Sequence, residues 1–199
     1  MNKEFWNERY AQYQSVYGTA PNKFFKEQIQ DLKPGKLLLP AEGEGRNAIY
    51  AASLGWKVSA YDYSEVAKNK TLEKAASLGI TTIDYQVMDL AMIDLPFEEY
   101  DAVALIYAHL PVAIRKHFHQ KCITSLKPGG KLIFEVFSKN QLAYQSGGPK
   151  VEEFLYSPQD LTADFSGMNI IQCEELIITL DEGTFHSGPA SVVRFIATK

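Results

Sequence analysis

From residue 37 to residue 47 the chain reads Leu-Leu-Leu-Pro-Ala-Glu-Gly-Glu-Gly-Arg-Asn, an apolar run that breaks into a glycine-bearing turn and then a helical pattern. Gly43 and Gly45 lack a Cβ where the backbone must turn sharply and let a ligand approach, and the helix that follows offers unpaired N–H groups to ligand oxygens. Asp62 ends a second apolar run, 57–61, where an acidic side chain commonly accepts hydrogen bonds from ribose hydroxyls. Strand, glycine turn, helix, strand and acid in that order imply a nucleoside ligand.

Positioning these groups requires a sheet. Strand-like runs at 36–39, 57–61, 81–87, 101–107 and 131–137 alternate with helical ones, which predicts an α/β fold with a parallel sheet covered by helices. A helix from Arg46 stops near Gly55, and Ser64 caps another that stops near Gly79. Pro111 suits a first helical turn, and Ile114, Phe118, Cys122 and Leu126 form a stripe to pack on the sheet. Leu126-Lys127-Pro128-Gly129-Gly130 then supplies a stop and a turn. Ser157-Pro158-Gln159-Asp160 starts a further helix, with Leu161 and Phe165 facing inward. Two β-rich runs, 170–180 and 191–198, predict a C-terminal antiparallel hairpin with a polar connection, 181–189.

The 199 residues, 46% of them hydrophobic, fit one domain, 1–199, and a net charge of −4 argues against broad nucleic-acid binding. Cys122 and Cys173 have no neighbouring ligand set at metal spacing and are expected as core thiols. The N-terminus shows no basic-then-apolar leader and no apolar run reaches spanning length, so a soluble cytoplasmic protein without membrane contact is expected.

Gly43-Glu44-Gly45, Asp62, Asp89, the Leu-Lys-Pro-Gly-Gly turn and the closing hairpin together resemble the class I S-adenosylmethionine-dependent methyltransferases over nearly the whole chain. Within that class, Phe5-Trp6…Arg9-Tyr10…Tyr17-Gly18…Pro21-Asn22…Phe24, followed by Gly43-Glu44-Gly45-Arg46-Asn47-Ala48, resembles the small tellurite-resistance and thiopurine methyltransferase-like group. The resemblance implies a Rossmann-like, doubly wound, mostly parallel sheet, S-adenosyl-L-methionine as cofactor and a small-molecule methyl acceptor. It implies that Gly43 and Gly45 lie against the methionine part, Asp62 holds the ribose hydroxyls and Tyr63 flanks the adenine. Asp89, with Met88 or Leu90, matches the position that reads the adenine edge, and Tyr107 falls where cofactor and substrate contacts follow the fourth strand. One departure stands out: the family usually has an acid at Leu39 and a glycine at Ala41. Either Glu42 substitutes for that acid or the cofactor binds more weakly.

Methyl transfer from a sulfonium is an in-line displacement, so alignment of the acceptor supplies much of the acceleration. A base helps only where the acceptor carries a proton, as a hydroxyl does; a thiolate or a metalloid oxyanion needs mainly positioning. His109, just past the fourth strand, is the first candidate base or substrate contact, with packing or helix capping as the competing reading. His186, in the hairpin connection, either reaches over the pocket or is a solvated loop histidine. His117 and His119 read as ordinary helix positions, at the surface or partly buried. Arg46 is a candidate partner for the cofactor carboxylate, or a solvated helix arginine. Residues 1–35 form an aromatic-rich helical lid, with Tyr17, like Tyr10, near the sulfonium; core packing competes for Phe5, Trp6, Phe24 and Phe25. Segment 138–154 reads as a mobile substrate loop or a disordered excursion. Two rivals remain: an NAD(P)-dependent oxidoreductase, which the loose glycine pattern also fits, and a non-catalytic S-adenosylmethionine-binding protein.

Overall fold

The computed structural model describes residues 3–199, so the first two residues of the expected lid lie outside it. Seven strands form one sheet in the order β3-β2-β1-β4-β5-β7-β6. They are β1 (Lys36–Pro40), β2 (Lys57–Asp62), β3 (Ile83–Val87), β4 (Tyr100–Ile106), β5 (Leu126–Phe137), β6 (Asn169–Asp181) and β7 (Ser187–Thr198). β1 to β5 run parallel, while β7 pairs antiparallel with both β5 and β6. The fold is thus the expected Rossmann-like, mostly parallel α/β sheet closed by an antiparallel hairpin.

Period-two alternation sorts the strand side chains onto two faces. Leu37, Leu39, Ala102, Ala104 and Ile106 face α2 (Lys23–Ile29) and α3 (Arg46–Ser53), packing with Phe24, Phe25, Ile29, Ala48 and Ala51. Leu38, Val103 and Leu105 face the other way, toward Phe118 and Cys122 of α5 (Val112–Ser125), Leu161 of α6 (Pro158–Asp164) and Phe165 just after that helix. α1 (Lys3–Gln12) sits against α4 (Glu65–Ser77). Half of the expected lid is therefore core: α2 covers the sheet, and only the segment before it is free to roof a cavity.

Strand order reverses between β1 and β4, the point at which open α/β sheets bind ligands. There β1 stays paired with β2 through Pro40↔Tyr61, but its register with β4 ends at Leu38↔Val103. The parting of the two strands opens a crevice at their carboxyl ends. Ala41, just beyond, has φ +54°, in the left-handed region where a Cβ is unfavourable. Relief of that strain outweighs the extra chain entropy of glycine, so Ala41→Gly should raise stability by up to about 1 kcal/mol in urea denaturation.

Several boundaries differ from the sequence reading. β3 starts at Ile83, because Thr82 contributes only its carbonyl, accepting from Val58 N. Helix α5 stops at Ser125 and Leu126 is already extended, paired with Tyr100; the Lys127-Pro128-Gly129-Gly130 turn bulges out before pairing resumes at Ala102↔Lys131. The hairpin connection shrinks to Glu182–His186, since the ladder continues through Thr179↔Pro189, Leu180↔Gly188 and Asp181↔Ser187. Cys122 is buried as expected, but Cys173 is only half-buried, because β6 is an edge strand. Segment 138–154 carries two short 3-10 turns, Lys139–Ala143 and Glu152–Phe154, and a bridge from Ser138 to Tyr156.

Candidate functional site

A cavity of about 680 Å3 opens in the crevice. Its walls include Glu42 and Gly43 after β1, Asp62 and Tyr63 after β2, Asp89 and Leu90 after β3, and Tyr107 and His109 after β4. Arg46, Tyr17 and His186 also line it, so eleven of the thirteen sequence candidates meet on one surface. Met88 and Gly45 are not in the wall. Met88 packs against the core and donates its N–H to the Asp62 carbonyl.

Gly45 is a glycine for a different reason from the one its sequence position suggests. It holds φ +76°, and a Cβ there would run into the Thr71 side chain of α4, so it sets helix packing rather than ligand approach. Gly45→Ala should cost roughly 2–4 kcal/mol, read as a lowered urea midpoint, from overpacking plus left-handed strain. Gly43 does border the cavity, at φ +63°, and the group pressed on it is the Tyr10 hydroxyl of α1.

Asp62 is held rigidly. Its Oδ2 accepts from Gly43 N at 3.0 Å and its Oδ1 from Ser64 N at 2.9 Å, so the carboxylate ties the ends of β1 and β2 together. Burial pushes its pKa up to about 6, against the pull of those N–H donors. The Tyr63 N–H also bonds this carboxylate, and three donors on two oxygens still leave acceptor capacity for a ligand hydroxyl. Asp89 is tied down on one side, its Oδ1 accepting from Ala91 N at 2.8 Å. Tyr63 hydrogen-bonds its carboxylate; burial first, and then Asp89, push the phenol up to about 12.

Glu42 turns out to be a helix cap. Its Oε1 accepts from Asn47 N at 2.9 Å and Ala48 N at 2.8 Å, at the positive end of α3, where Gly45 has no side chain to offer. These helix N–H groups, which the sequence pattern offers to a ligand, are thus taken by the chain itself. Burial lifts Glu42 to about 7, opposed by the same hydrogen bonds.

Arg46 is not solvated: it reaches Tyr17 O at 3.2 Å and Glu182 Oε2 at 2.9 Å, joining the N-terminal segment to the hairpin. Tyr17 in turn lies against the His186 ring at 4.5 Å and takes a bond from Arg9 at 3.4 Å. His186 is buried, not a solvated loop residue, and its Nδ1 lies 3.3 Å from Glu182 Oε2. His109 lies with its Nδ1 2.7 Å from the Phe154 carbonyl, and burial pushes it down to about 4. Tyr107 has φ +54°, and its hydroxyl donates to Glu135 Oε1 at 3.1 Å.

Three residues that matter here do not stand out in the sequence. Glu135, on β5, is buried and also bonded by Asn22 Nδ2 at 2.7 Å and Arg194 Nε at 2.6 Å. Glu182 takes Asn22, Arg46 and His186 together. Glu44 clips the roof in place, accepting from Val16 N at 2.6 Å and Lys70 Nζ at 2.8 Å. Away from the cavity, His119 is fully buried beside Asp164 at 2.9 Å rather than lying at the surface. Among the described residues no three His, Cys, Asp or Glu gather as a metal-binding group, and no helix is long and apolar enough to cross a membrane.

The sheet carries one acid at the end of β2, a second after β3 and a cavity at the switch point, where open α/β sheets place their ligands. Residues 40–130 match the family model for a methyltransferase domain. Over 99% of its length the chain is similar to the TehB structure from Haemophilus influenzae, at 17% identity and TM-score 0.76, spanning 66% of that chain. A structure from work on conversion of a disulfide bond into a thioacetal group during echinomycin biosynthesis is similar over 99% of this chain and 92% of its own, at 17% identity and TM-score 0.75. An S-adenosylmethionine-dependent methyltransferase from Methanosarcina mazei is similar over 90% of this chain and 98% of its own, at 15% identity and TM-score 0.70. No curated protein matches by sequence. The chain thus has the fold of these solved structures, and its central part is similar to a methyltransferase domain.

Proposed function

We propose that the protein transfers a methyl group from S-adenosylmethionine to a small-molecule acceptor, working as a single domain in which residues before α2 roof the cavity. The cavity itself carries the proposal: it is continuous from the acidic strand ends to an aromatic chamber beyond β4, and its size falls within the range of cofactor and ligand sites. When bound, the cofactor supplies an electrophilic methyl on a sulfonium.

The chain's own residues supply position and dryness. Asp62 orients the ribose diol, Asp89 and Tyr63 bound the adenine, Gly43 and Glu42 face the methionine end, and Trp6, Tyr10 and Tyr17 cover it. Arg46 acts by latching the roof to the hairpin through Tyr17 and Glu182, not by binding the cofactor carboxylate. Thiols, metalloid oxyanions and hydroxylated metabolites are the acceptor classes to test.

Calorimetric titration with S-adenosylhomocysteine and with NADH checks the reading. Saturable binding of the first and none of the second is expected. Binding of NADH alone would make the protein an oxidoreductase. Cofactor binding with no methyl transfer to any of the three acceptor classes would favour a non-catalytic binder.

A further inference from the structure

The far end of the cavity is a chamber walled by Tyr107, Phe137, Phe154 and Phe185. Two imidazoles meet one ring of this wall. His109 stacks on Phe137 at 5.5 Å and 14°, and His186 meets the same ring edge-on at 5.2 Å and 89°.

Their partners fix where the protons are. The oxygen 2.7 Å from His109 Nδ1 is a backbone carbonyl, which only accepts, so Nδ1 carries the hydrogen and Nε2 of the neutral ring is a bare lone pair. That Nε2 is buried and has no partner. The oxygen 3.3 Å from His186 Nδ1 belongs to the Glu182 carboxylate, which imposes the same tautomer and leaves Nε2 as the acceptor. A buried acceptor without a donor is costly unless a ligand supplies one.

The cations that line the cavity are engaged elsewhere. Arg46 is held by Glu182 at 2.9 Å, Lys150 donates to the Tyr144 carbonyl at 2.9 Å, and the Arg9 guanidinium lies 4.9 Å over the Phe185 ring and 5.5 Å over Trp6. Flat apolar walls and two bare imidazole nitrogens suit a neutral molecule that donates a hydrogen.

Building on the methyl-transfer reading, we propose that the acceptor is an uncharged aromatic hydroxyl or thiol, with His186 Nε2 taking its proton, His109 Nε2 accepting a hydrogen bond from the same molecule, and Glu182 positioning His186. In the step, the acceptor's O–H or S–H bond breaks and its proton passes to His186 Nε2. The freed electron pair forms the new bond to the methyl carbon, while the methyl–sulfur pair remains on sulfur as a neutral thioether. The resulting imidazolium is paired with Glu182 and returns its proton to water.

Charged and titratable groups surround His186 from every side. Glu182 lies in its own turn, Arg46 on α3, Tyr17 on the N-terminal segment, Tyr107 after β4 and Glu135 on β5, and His109 lies within electrostatic reach. Burial is the dominant influence and lowers the His186 pKa, with Glu182 pulling it back up. The ring is therefore neutral, and ready to accept a proton, above a pKa that lies below the ordinary histidine value.

Ring-15N histidine NMR on the full chain, loaded with S-adenosylhomocysteine and titrated with phenol or thiophenol, tests the assignment. Both rings are expected as Nδ1–H tautomers before titration, and at least one probe should shift both Nε2 resonances, whereas tellurite leaves them unmoved. Glu182→Gln should lower the His186 ring pKa further, because the carboxylate that favours the imidazolium is gone; a purely structural role for Glu182 would not move it. An Nε2–H tautomer at either ring, silence toward both probes, a response to tellurite, or an unmoved His186 pKa in Glu182→Gln overturns the inference. Calorimetry on the same sample separates the two levels. If S-adenosylhomocysteine itself fails to bind, the methyl-transfer reading fails; if it binds while the rings stay silent, only the acceptor assignment does.

Discussion

Asp62→Asn is expected to weaken S-adenosylhomocysteine binding roughly tenfold to a hundredfold, about 1.5–3 kcal/mol for losing hydrogen bonds to a charged acceptor, while leaving thermal stability close to the starting value. Two opposing effects set the second half of that expectation. The carboxylate accepts from both Gly43 N and Ser64 N, and an amide has one oxygen, so its NH2 must face one of those donors, at about 1–3 kcal/mol. Against this, burial raises Asp62 from 3.8 to about 6, and removing a carboxylate shifted by that much recovers about 3 kcal/mol at neutral pH.

The direction of the pH effect follows from the same shift. Because the folded pKa is raised, the native state binds more protons than the unfolded chain between about pH 4 and 6, so this group's contribution to stability falls as pH rises through that window. Cofactor binding is expected to run the opposite way, since in the proposed site the diol needs the ionised form. The dissociation constant should be about tenfold larger at pH 5 than at pH 7, with the pH dependence reduced in Asp62→Asn. An Asp62→Asn protein that binds as tightly as the parent would remove Asp62 from the site.

Glu135→Ala should have the largest effect on stability, about 3–5 kcal/mol, because it leaves Arg194 without its carboxylate and strands two further donors. Glu135 is 1% exposed and satisfies Arg194 Nε, Asn22 Nδ2 and the Tyr107 hydroxyl together, so no water replaces it cheaply. A loss of that size is a large part of the roughly 5–15 kcal/mol that holds a typical domain together. Urea denaturation should show a lower midpoint with little change in slope. Glu135→Gln keeps an acceptor and should lose less. The pair Glu135→Leu with Arg194→Met should recover much of the loss, since neither charge is then left alone. A Glu135→Ala protein within about 1 kcal/mol of the parent would mean the network is solvated rather than buried.

The contrast between Asp62 and Glu135 also marks what the chain discloses in one dimension. Asp62 ends an apolar run, and its neighbours along the strand announce the sheet edge. Leu37 and Leu39 against Leu38 declare two buried faces, and Gly55 and Gly79 fall where helices α3 and α4 finish. Glu135 sits inside an apolar strand, where an isolated acid reads as a surface residue. Its partners Asn22 and Arg194 are 113 and 59 residues away, so only the folded sheet brings them together. His119 is hidden for the same reason, because Asp164 lies 45 residues on, in α6.

At the glycine turn the pattern is legible and its cause is not. Gly45 responds to Thr71 on α4, and Glu42 commits its carboxylate to the α3 N-terminus, neither of which is encoded in the local run. The Leu39 departure from the family pattern is absorbed in the core, where Leu39 packs on the α2 and α3 face. Ala41 keeps the left-handed backbone that a glycine would adopt without strain.

The central claim is that the acidic strand ends hold the nucleoside and the aromatic chamber holds the acceptor. A crystal structure of the protein with S-adenosylhomocysteine tests it most directly. The ribose hydroxyls should lie about 3 Å from the Asp62 carboxylate, the adenine beside Tyr63 and Asp89, and the sulfur should face the chamber between His109 and His186. A ligand bound away from Asp62 and Asp89, or with its sulfur turned from that chamber, would contradict it.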